Sequence, residues 1–349
     1  MKDYSIAFFD TKSFDRISFD RVNKKHGFHI KYYKHNLNPE TANLRIGYDA
    51  VCLFVNDVVN AEIIDMMVET NVKIIALRSA GYNGVDFKSA YGKIHVVRVP
   101  EYSPYAVAEH CIALMMTLNR KTHRAYYRTR DNNFNINGLL GFDMRLKTAG
   151  VIGAGKIGKI LIKILKGFNM NVLAYDLYPD KEFEKEQGIE YVSLERLYKE
   201  SDIISLNCPL NDDTYHMINK DSIAEMKDGV MIINTGRGHL IDTSALIDGL
   251  KSEKISSAGL DVYEEESAYF FEDHSDQIVS DDVLARLLTF NNVLITSHQG
   301  FFTKEAISNI AEVTLENLSR FFSGDKLENE ICYKCSSTKC RKEETGRCF

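Results

Sequence analysis

The chain has 349 residues, 44% hydrophobic and 26% charged, with a formal net charge of −6. That length exceeds one ordinary hydrophobic core, so two domains are expected, and the composition is ordinary for a globular protein. The acidic balance leaves no footprint for nucleic acid or an anionic membrane, and no apolar run approaches the ~20 residues that span a bilayer.

The N-terminal stretch MKDYSIAFFDTKSFD soon turns acidic and shows no small-residue cleavage site, so no signal peptide is expected and the protein is read as cytoplasmic. Beyond it, SIAFFD, FHIKYYK, AVCLFVN, KIIALRSA and HVVRVP read as strands rich in β-branched and aromatic residues. AEIIDMMVET between them has helical periodicity, and VDFKSAY suits a shorter helix. This alternation predicts βαβ units around a mostly parallel sheet. One long helical stretch follows, SPYAVAEHCIALMMTLNRKTHRAYYRTR, with Ser103 as N-cap and Pro104 in the first turn.

After the polar loop DNNFNINGLLGFDMRLK a second alternating series begins. TAGVIG, NVLAYD, DIISLN, VMIINTG, SSAGLDV and VLITSH are its strands, with KIGKILIKILKGF and DTSALIDGLKSEK the clearest helices. A last amphipathic helix, TKEAISNIAEVTLENLSRFFSG, comes after the second sheet is complete. The expected fold is α/β, with two Rossmann-like doubly wound parallel-sheet domains. Residues 102–298 form the dinucleotide-binding domain, inserted in a substrate domain of residues 1–101 and 299–330. A cleft between the two is the expected place for a small ligand.

Residues 331–349 form a tail that carries Cys332, Cys335, Cys340 and Cys348. A Cys-x-x-Cys followed by two more thiols is a zinc pattern in outline, but the second pair is widely spaced and no histidine joins it. The expectation is a solvated, dispensable tail with free or oxidisable thiols and no metal. Cys52, Cys111 and Cys208 lie in apolar segments, where a free thiol behaves as a small hydrophobe.

Gly153, Gly155 and Gly158 form G-x-G-x-x-G between the strand TAGVIG and the following helix. The first glycine permits a tight turn, the second lets backbone approach a pyrophosphate, and the third lets helix and strand pack closely. Asp176 ends the next strand, where a carboxylate accepts from ribose hydroxyls and repels a 2′-phosphate. A ligand-free turn and an S-adenosylmethionine site share parts of this pattern. The strand, helix and acid together favour NAD.

Three later strand ends carry charge: Arg237 in INTGRGHLID, Asp261 with Glu264, Glu265 and Glu266 in GLDVYEEES, and His298 in TSHQGFFT. Singly, each suits a solvated face or a surface turn. Together they supply a proton carrier, a carboxylate to tune it and a fixed cation for a substrate carboxylate. Hydride transfer to or from a nicotinamide needs those groups and no metal.

With AVCLFVND, IALRSAGYNGVD, AVAEH, MMTLNRKTHRAYYRTRD and SHQGFFTKEA, these stretches resemble the D-2-hydroxyacid dehydrogenase family, most closely its fermentative NAD-dependent D-lactate dehydrogenases. The resemblance runs over about residues 1 to 330. It implies His298 as acid/base, Glu266 as its carboxylate partner and Arg237 as the cation on the substrate carboxylate. Of the three glutamates, Glu266 is chosen because the family's partner lies five positions after the aspartate matched by Asp261. The resemblance further implies cofactor contacts at Gly153, Gly155, Lys156, Ile157, Gly158, Asp176, Cys208, Pro209, Thr214, Thr235, Gly236, Arg237 and Asp261. Substrate contacts are implied at Ser79, Ala80, Gly81, Tyr102, Arg237 and Phe301, the last crowding the substrate methyl. Gly236 and Gly300 stand where the family often has alanine or serine. The implied reaction is reversible reduction of pyruvate to D-lactate by a homodimer or dimer of dimers. Dehydrogenases of larger 2-oxo acids and the family's cofactor-sensing corepressors are the competing readings.

Overall fold

The computed structural model describes residues 4–42, 47–335 and 340–349. Residues 1–3 of the N-terminal stretch and 336–339 of the cysteine-bearing tail lie outside the described residues. The chain divides into two compact units, one formed by Met1–Ser103 with Phe302–Phe349, the other by Pro104–Phe301.

In the first unit, strands β1 (Ser5–Phe8), β2 (His29–Tyr32), β3 (Ala50–Leu53), β4 (Ile74–Leu77) and β5 (His95–Val97) form a parallel sheet in the order β2-β1-β3-β4-β5. All residues of β3 and β4 are buried, as in a sheet covered on both faces. Val51, Leu53 and Ile75 pack with Ile63, Ile64 and Met67 of the helix Ala61–Glu69. The Asn60 side chain caps that helix by accepting from the Ile63 N–H.

The helix Ser13–Asn23 was not expected. Its buried stripe is Asp15, Ser18, Phe19 and Val22, half of it polar, while Ile17 points to solvent, so apolar periodicity is nearly absent. It packs against the long helix Lys304–Ser323, where Arg21 Nη2 donates to Ser308 Oγ at 2.7 Å.

The C-terminal segment departs from expectation more sharply. It is folded onto the first unit rather than solvated. The Ile331 N–H donates to the Val96 carbonyl at 2.9 Å, and Glu330 pairs antiparallel with Val97 at the β5 edge. Phe349 stacks on His95 with ring centroids 4.3 Å apart, and Cys348 is fully buried.

In the second unit, β6 (Thr148–Ile152), β7 (Asn171–Tyr175), β8 (Glu190–Tyr191), β9 (Ile203–Leu206), β10 (Val230–Asn234), β11 (Ile255–Leu260) and β12 (Val293–Ile295) form a parallel sheet in the order β12-β11-β10-β9-β6-β7-β8. The two-residue β8 escapes sequence reading because it is too short to show a period. Alternate residues feed two cores, Ile232 packing on one face and Met231 and Ile233 on the other. The single long helix expected after Ser103 is two helices, Pro104–Arg120 and Thr122–Arg130. Lys121 between them takes left-handed backbone at φ 49°, which ends the first ladder.

This sheet is doubly wound, and its order reverses between β6 and β9. A crevice forms at the carboxyl ends of the strands there, which is where such sheets bind ligands.

Candidate active site

The glycine turn leads from β6 into the helix Lys156–Gly167. Gly153 adopts φ 92°, and a Cβ there would lie 2.6 Å from the Asn207 carbonyl carbon and the Cys208 nitrogen in the loop after β9. At Gly158 a Cβ would fall 2.0 Å from the Gly153 carbonyl oxygen, so only glycine lets the helix seat on the turn. Gly155, the helix N-cap, faces open space and carries no capping side chain. The first helical N–H groups, with no intrahelical partners, are thus available to an anion.

Asp176 follows β7 directly. Its Oδ2 accepts from the Ala154 N–H at 2.7 Å and its Oδ1 from the Tyr178 N–H at 2.9 Å. The acid is thereby tied to the glycine turn. An open, positively polarised turn with a fixed carboxylate at the next strand end fits the pyrophosphate and ribose of NAD.

Across the crevice, Thr214 Oγ1 donates to the Pro209 carbonyl at 2.7 Å, folding the loop that carries Cys208 and Pro209. Burial pushes the Cys208 thiol up to about 11, so this cysteine is a packing group rather than a nucleophile. After β10, Thr235 is buried with its hydroxyl 3.0 Å from Cys111 Sγ, and Gly236 donates its N–H to Asn234 Oδ1 at 3.0 Å. Arg237 is half-buried; its Nη1 donates to the Gly236 carbonyl at 2.7 Å. A Cβ at Gly238 would sit 2.2 Å from the Tyr263 carbonyl, so the Arg237 turn lies directly against the turn that follows β11.

Sheet register brings the remaining groups together. Asn234, Leu260 and Ile295 pair across β10, β11 and β12. Arg237, Asp261, Glu266 and His298 therefore all leave the same edge of three adjacent strands. His298 Nδ1 lies 2.8 Å from Glu266 Oε1, and Glu266 Oε2 accepts from the Tyr263 N–H at 3.0 Å. Glu264 is committed elsewhere, to His216 Nε2 at 2.6 Å and the Thr243 N–H at 3.0 Å. Burial pushes the Glu264 carboxyl up, but the hydrogen bonds from Thr243 and His216 outweigh it and hold the group below its ordinary range.

His298 has φ 52°, strained for a residue with a side chain. Its N–H donates to the Asp261 carbonyl at 2.7 Å and to the Thr296 carbonyl at 3.1 Å. Asp261 is 1% exposed and organises the whole loop. Its Oδ1 accepts from Thr296 Oγ1 at 2.5 Å and the Gln299 N–H at 2.9 Å, its Oδ2 from the Gly300 N–H at 2.7 Å. Burial raises this carboxyl, yet hydrogen bonds from His110 and Thr296 prevail and leave it lowered. His110, 3.2 Å from Asp261 Oδ1, was missed by sequence reasoning; its partner lies far along the chain and only folding brings them together.

The other expected substrate residues are placed within their own units. Phe301 ends the second unit and is 8% exposed. In the first unit, Ser79 Oγ donates to the Gly81 carbonyl at 2.7 Å and Arg98 Nη1 to the Ala80 carbonyl at 2.7 Å, fixing the turn after β4. The Tyr102 carbonyl accepts from Asn309 Nδ2 at 2.8 Å.

A doubly wound sheet with a dinucleotide turn and a histidine–carboxylate pair at its carboxyl edge defines a nicotinamide-dependent oxidoreductase. The D-isomer specific 2-hydroxyacid dehydrogenase NAD-binding domain matches residues 112–300, and the chain belongs to that family. It is 50% identical over 327 residues to a 2-hydroxyacid dehydrogenase homolog of Haemophilus influenzae, covering 93% of this chain and 98% of that one. It is 49% identical over 327 residues to the D-lactate dehydrogenase of Escherichia coli, covering 93% and 99%. The apo-structure of D-lactate dehydrogenase from Escherichia coli superposes with a TM-score of 0.87 at 48% identity, over 94% of this chain and 99% of that one.

Proposed function

We propose that the chain is an NAD-dependent D-lactate dehydrogenase that reduces pyruvate reversibly to D-lactate. The observation that carries the reading is the His298–Glu266 pair, 2.8 Å between Nδ1 and Oε1, at the edge of an NAD-binding sheet. Nearly full-length similarity to D-lactate dehydrogenase of Escherichia coli supports the choice of substrate.

In this mechanism Arg237 holds the pyruvate carboxylate and draws density from the ketone. The glycine turn and Asp176 would hold NADH, which would supply the hydride for reduction at C2. His298, with Nδ1 engaged by Glu266, gives the proton on Nε2 to the carbonyl oxygen, so hydride and proton together make the alcohol. Glu266 fixes the ring through Nδ1; Asp261 and His110 hold the loop that presents it. Asp176 receives the adenosine ribose. The turn at residues 79–81 and Tyr102 supply further contacts to the substrate carboxylate, and Phe301 limits the space around its methyl group.

The same reading makes the protein a cytoplasmic homodimer or dimer of dimers. No helix among the described residues is long and apolar enough to cross a membrane. Self-association is supported by the segment after Arg130, where Phe134, Ile136 and Leu140 are 73%, 79% and 89% exposed, an apolar display that invites a second copy. NADH oxidation over a panel of 2-oxo acids tests the substrate. Pyruvate should give the highest kcat/KM; a preference for hydroxypyruvate or a bulkier acid would replace this reading with a related dehydrogenase.

A further inference from the structure

The C-terminal segment holds a second site. Cys332, Cys335, Cys340 and Cys348 follow the spacing C-x2-C-x4-C-x7-C, and their sulfurs all lie within 4.8 Å of one another. Cys332 Sγ is 3.7 Å from Cys335 Sγ and 4.0 Å from Cys340 Sγ, while Cys348 Sγ is 3.9 Å from those of both Cys335 and Cys340. A disulfide needs about 2.05 Å, so these are four separate thiols. Tetrahedral zinc with sulfur at about 2.3 Å has S···S edges of about 3.8 Å. Four of the six sulfur pairs stand at 3.7–4.0 Å, and all six lie within 4.8 Å, close to that arrangement.

The surroundings suit a tetrathiolate. The Cys332 N–H points at Cys335 Sγ at 3.1 Å, the kind of bond that steadies a charged sulfur. Lys334, Arg341, Lys342 and Arg347 lie in the same segment and offset the negative charge that four thiolates around a divalent ion would leave. The segment is also too poor in apolar residues to build a core, and small elements of that kind hold their shape by cross-linking.

What the cluster fastens is clear from its neighbours. Glu330 is fully buried and accepts from the Cys348 N–H at 2.6 Å and from His95 Nδ1 at 2.5 Å. Lys342 Nζ donates to the carbonyls of Glu328 at 2.7 Å and Glu330 at 2.8 Å. Tyr333 and Phe349 both pack against Tyr91. A knot at the four sulfurs closes this segment over the β5 edge, which would otherwise present unpaired strand backbone.

We propose that Cys332, Cys335, Cys340 and Cys348 bind one zinc ion as a tetrathiolate that locks the C-terminus onto the first unit's sheet. Binding releases thiol protons and changes no oxidation state. The proposal is independent of the catalytic reading, because none of the four cysteines belongs to the dehydrogenase site.

The test uses the full chain, purified without tag or chelator from zinc-supplemented cells, with metals counted by mass spectrometry. The expected result is about one zinc per chain, falling to about a tenth or less in the Cys335→Ser/Cys340→Ser variant. Should that variant fail to fold, cobalt exchanged into the wild-type protein gives the intense visible absorption of tetrahedral tetrathiolate Co(II). Thermal unfolding of the wild-type protein should also start at lower temperature after zinc removal and recover on zinc addition. Metal-free protein with all seven thiols reactive in denaturant, iron in place of zinc, or an intact mass showing two disulfides would each overturn the proposal.

Discussion

Glu264 and Glu266 stand two residues apart and serve different histidines. Glu264 Oε1 binds His216 Nε2 at 2.6 Å, while Glu266 Oε1 binds His298 Nδ1 at 2.8 Å. The two carboxylates are chemically alike and spatially divided, so substitution separates their roles.

Glu266 Oε1 holds His298 through Nδ1, which leaves Nε2 to face the substrate. Glu266→Gln removes that carboxylate and should lower kcat/KM for pyruvate sharply. Glu264→Gln, at a carboxylate bound to His216 instead, should cost much less. Steady-state kinetics of the two variants, measured side by side, check the pairing; a loss only with Glu264→Gln would reverse it.

Replacing Arg237 by lysine keeps the charge but loses the planar fork that grips a carboxylate at two points. The expected outcome is a raised KM for pyruvate with a smaller change in kcat. Steady-state kinetics at fixed saturating NADH measure the split. An unchanged KM would take Arg237 off the substrate carboxylate.

Asp176 places a negative charge where NADPH carries its 2′-phosphate, so the protein should strongly prefer NADH. Asp176→Ser should narrow that preference from both sides. It relieves the repulsion of NADPH, and it weakens NADH binding by removing a ribose partner and the acceptor for the Ala154 N–H. The ratio of kcat/KM for the two cofactors reads the effect, and equal use of both by the unaltered protein would contradict it.

A fourth expectation concerns the first unit. Burial pushes the Asp57 carboxyl up to about 6, although Arg78 and the N–H groups of Phe54 and Leu37 pull it back. An acid raised in the folded state keeps its proton while the unfolded chain has lost it. Its contribution to stability is therefore full below the ordinary aspartate value of 3.8 and lost as pH rises through about 6. Carbon-13 NMR of labelled aspartate should show one carboxyl titrating near 6 that disappears in Asp57→Asn. Every aspartate titrating in the ordinary range would refute it.

Much of this was legible in the sequence, for identifiable reasons. The glycine turn could be read because each glycine answers a local demand: positive φ at Gly153, open approach at Gly155 and helix seating at Gly158. Strands β1 to β7 and β9 to β12 carry their own apolar signatures. The helix Ser13–Asn23 does not, because its inward face holds Asp15, which sits 3.4 Å from the buried Arg78, and Ser18 rather than an apolar stripe. Nor could residue spacing alone divide the work of Glu264 and Glu266, since that depends on which strand ends lie side by side. His110 and the loop-holding role of Asp261 are invisible for the same reason. In the tail, spacing argued against a metal, whereas chain folding at the β5 edge brings Cys348 back to the other three cysteines.

His298→Gln should cost far more than Glu266→Gln, since loss of a general acid typically removes about 10²–10⁴-fold in rate. The most direct measurement is consumption of NADH with pyruvate by the wild-type protein, followed by chiral analysis of the lactate formed. The account predicts D-lactate alone, with the rate collapsing in His298→Gln. L-lactate, a racemic product, or no NADH consumption with pyruvate would contradict it.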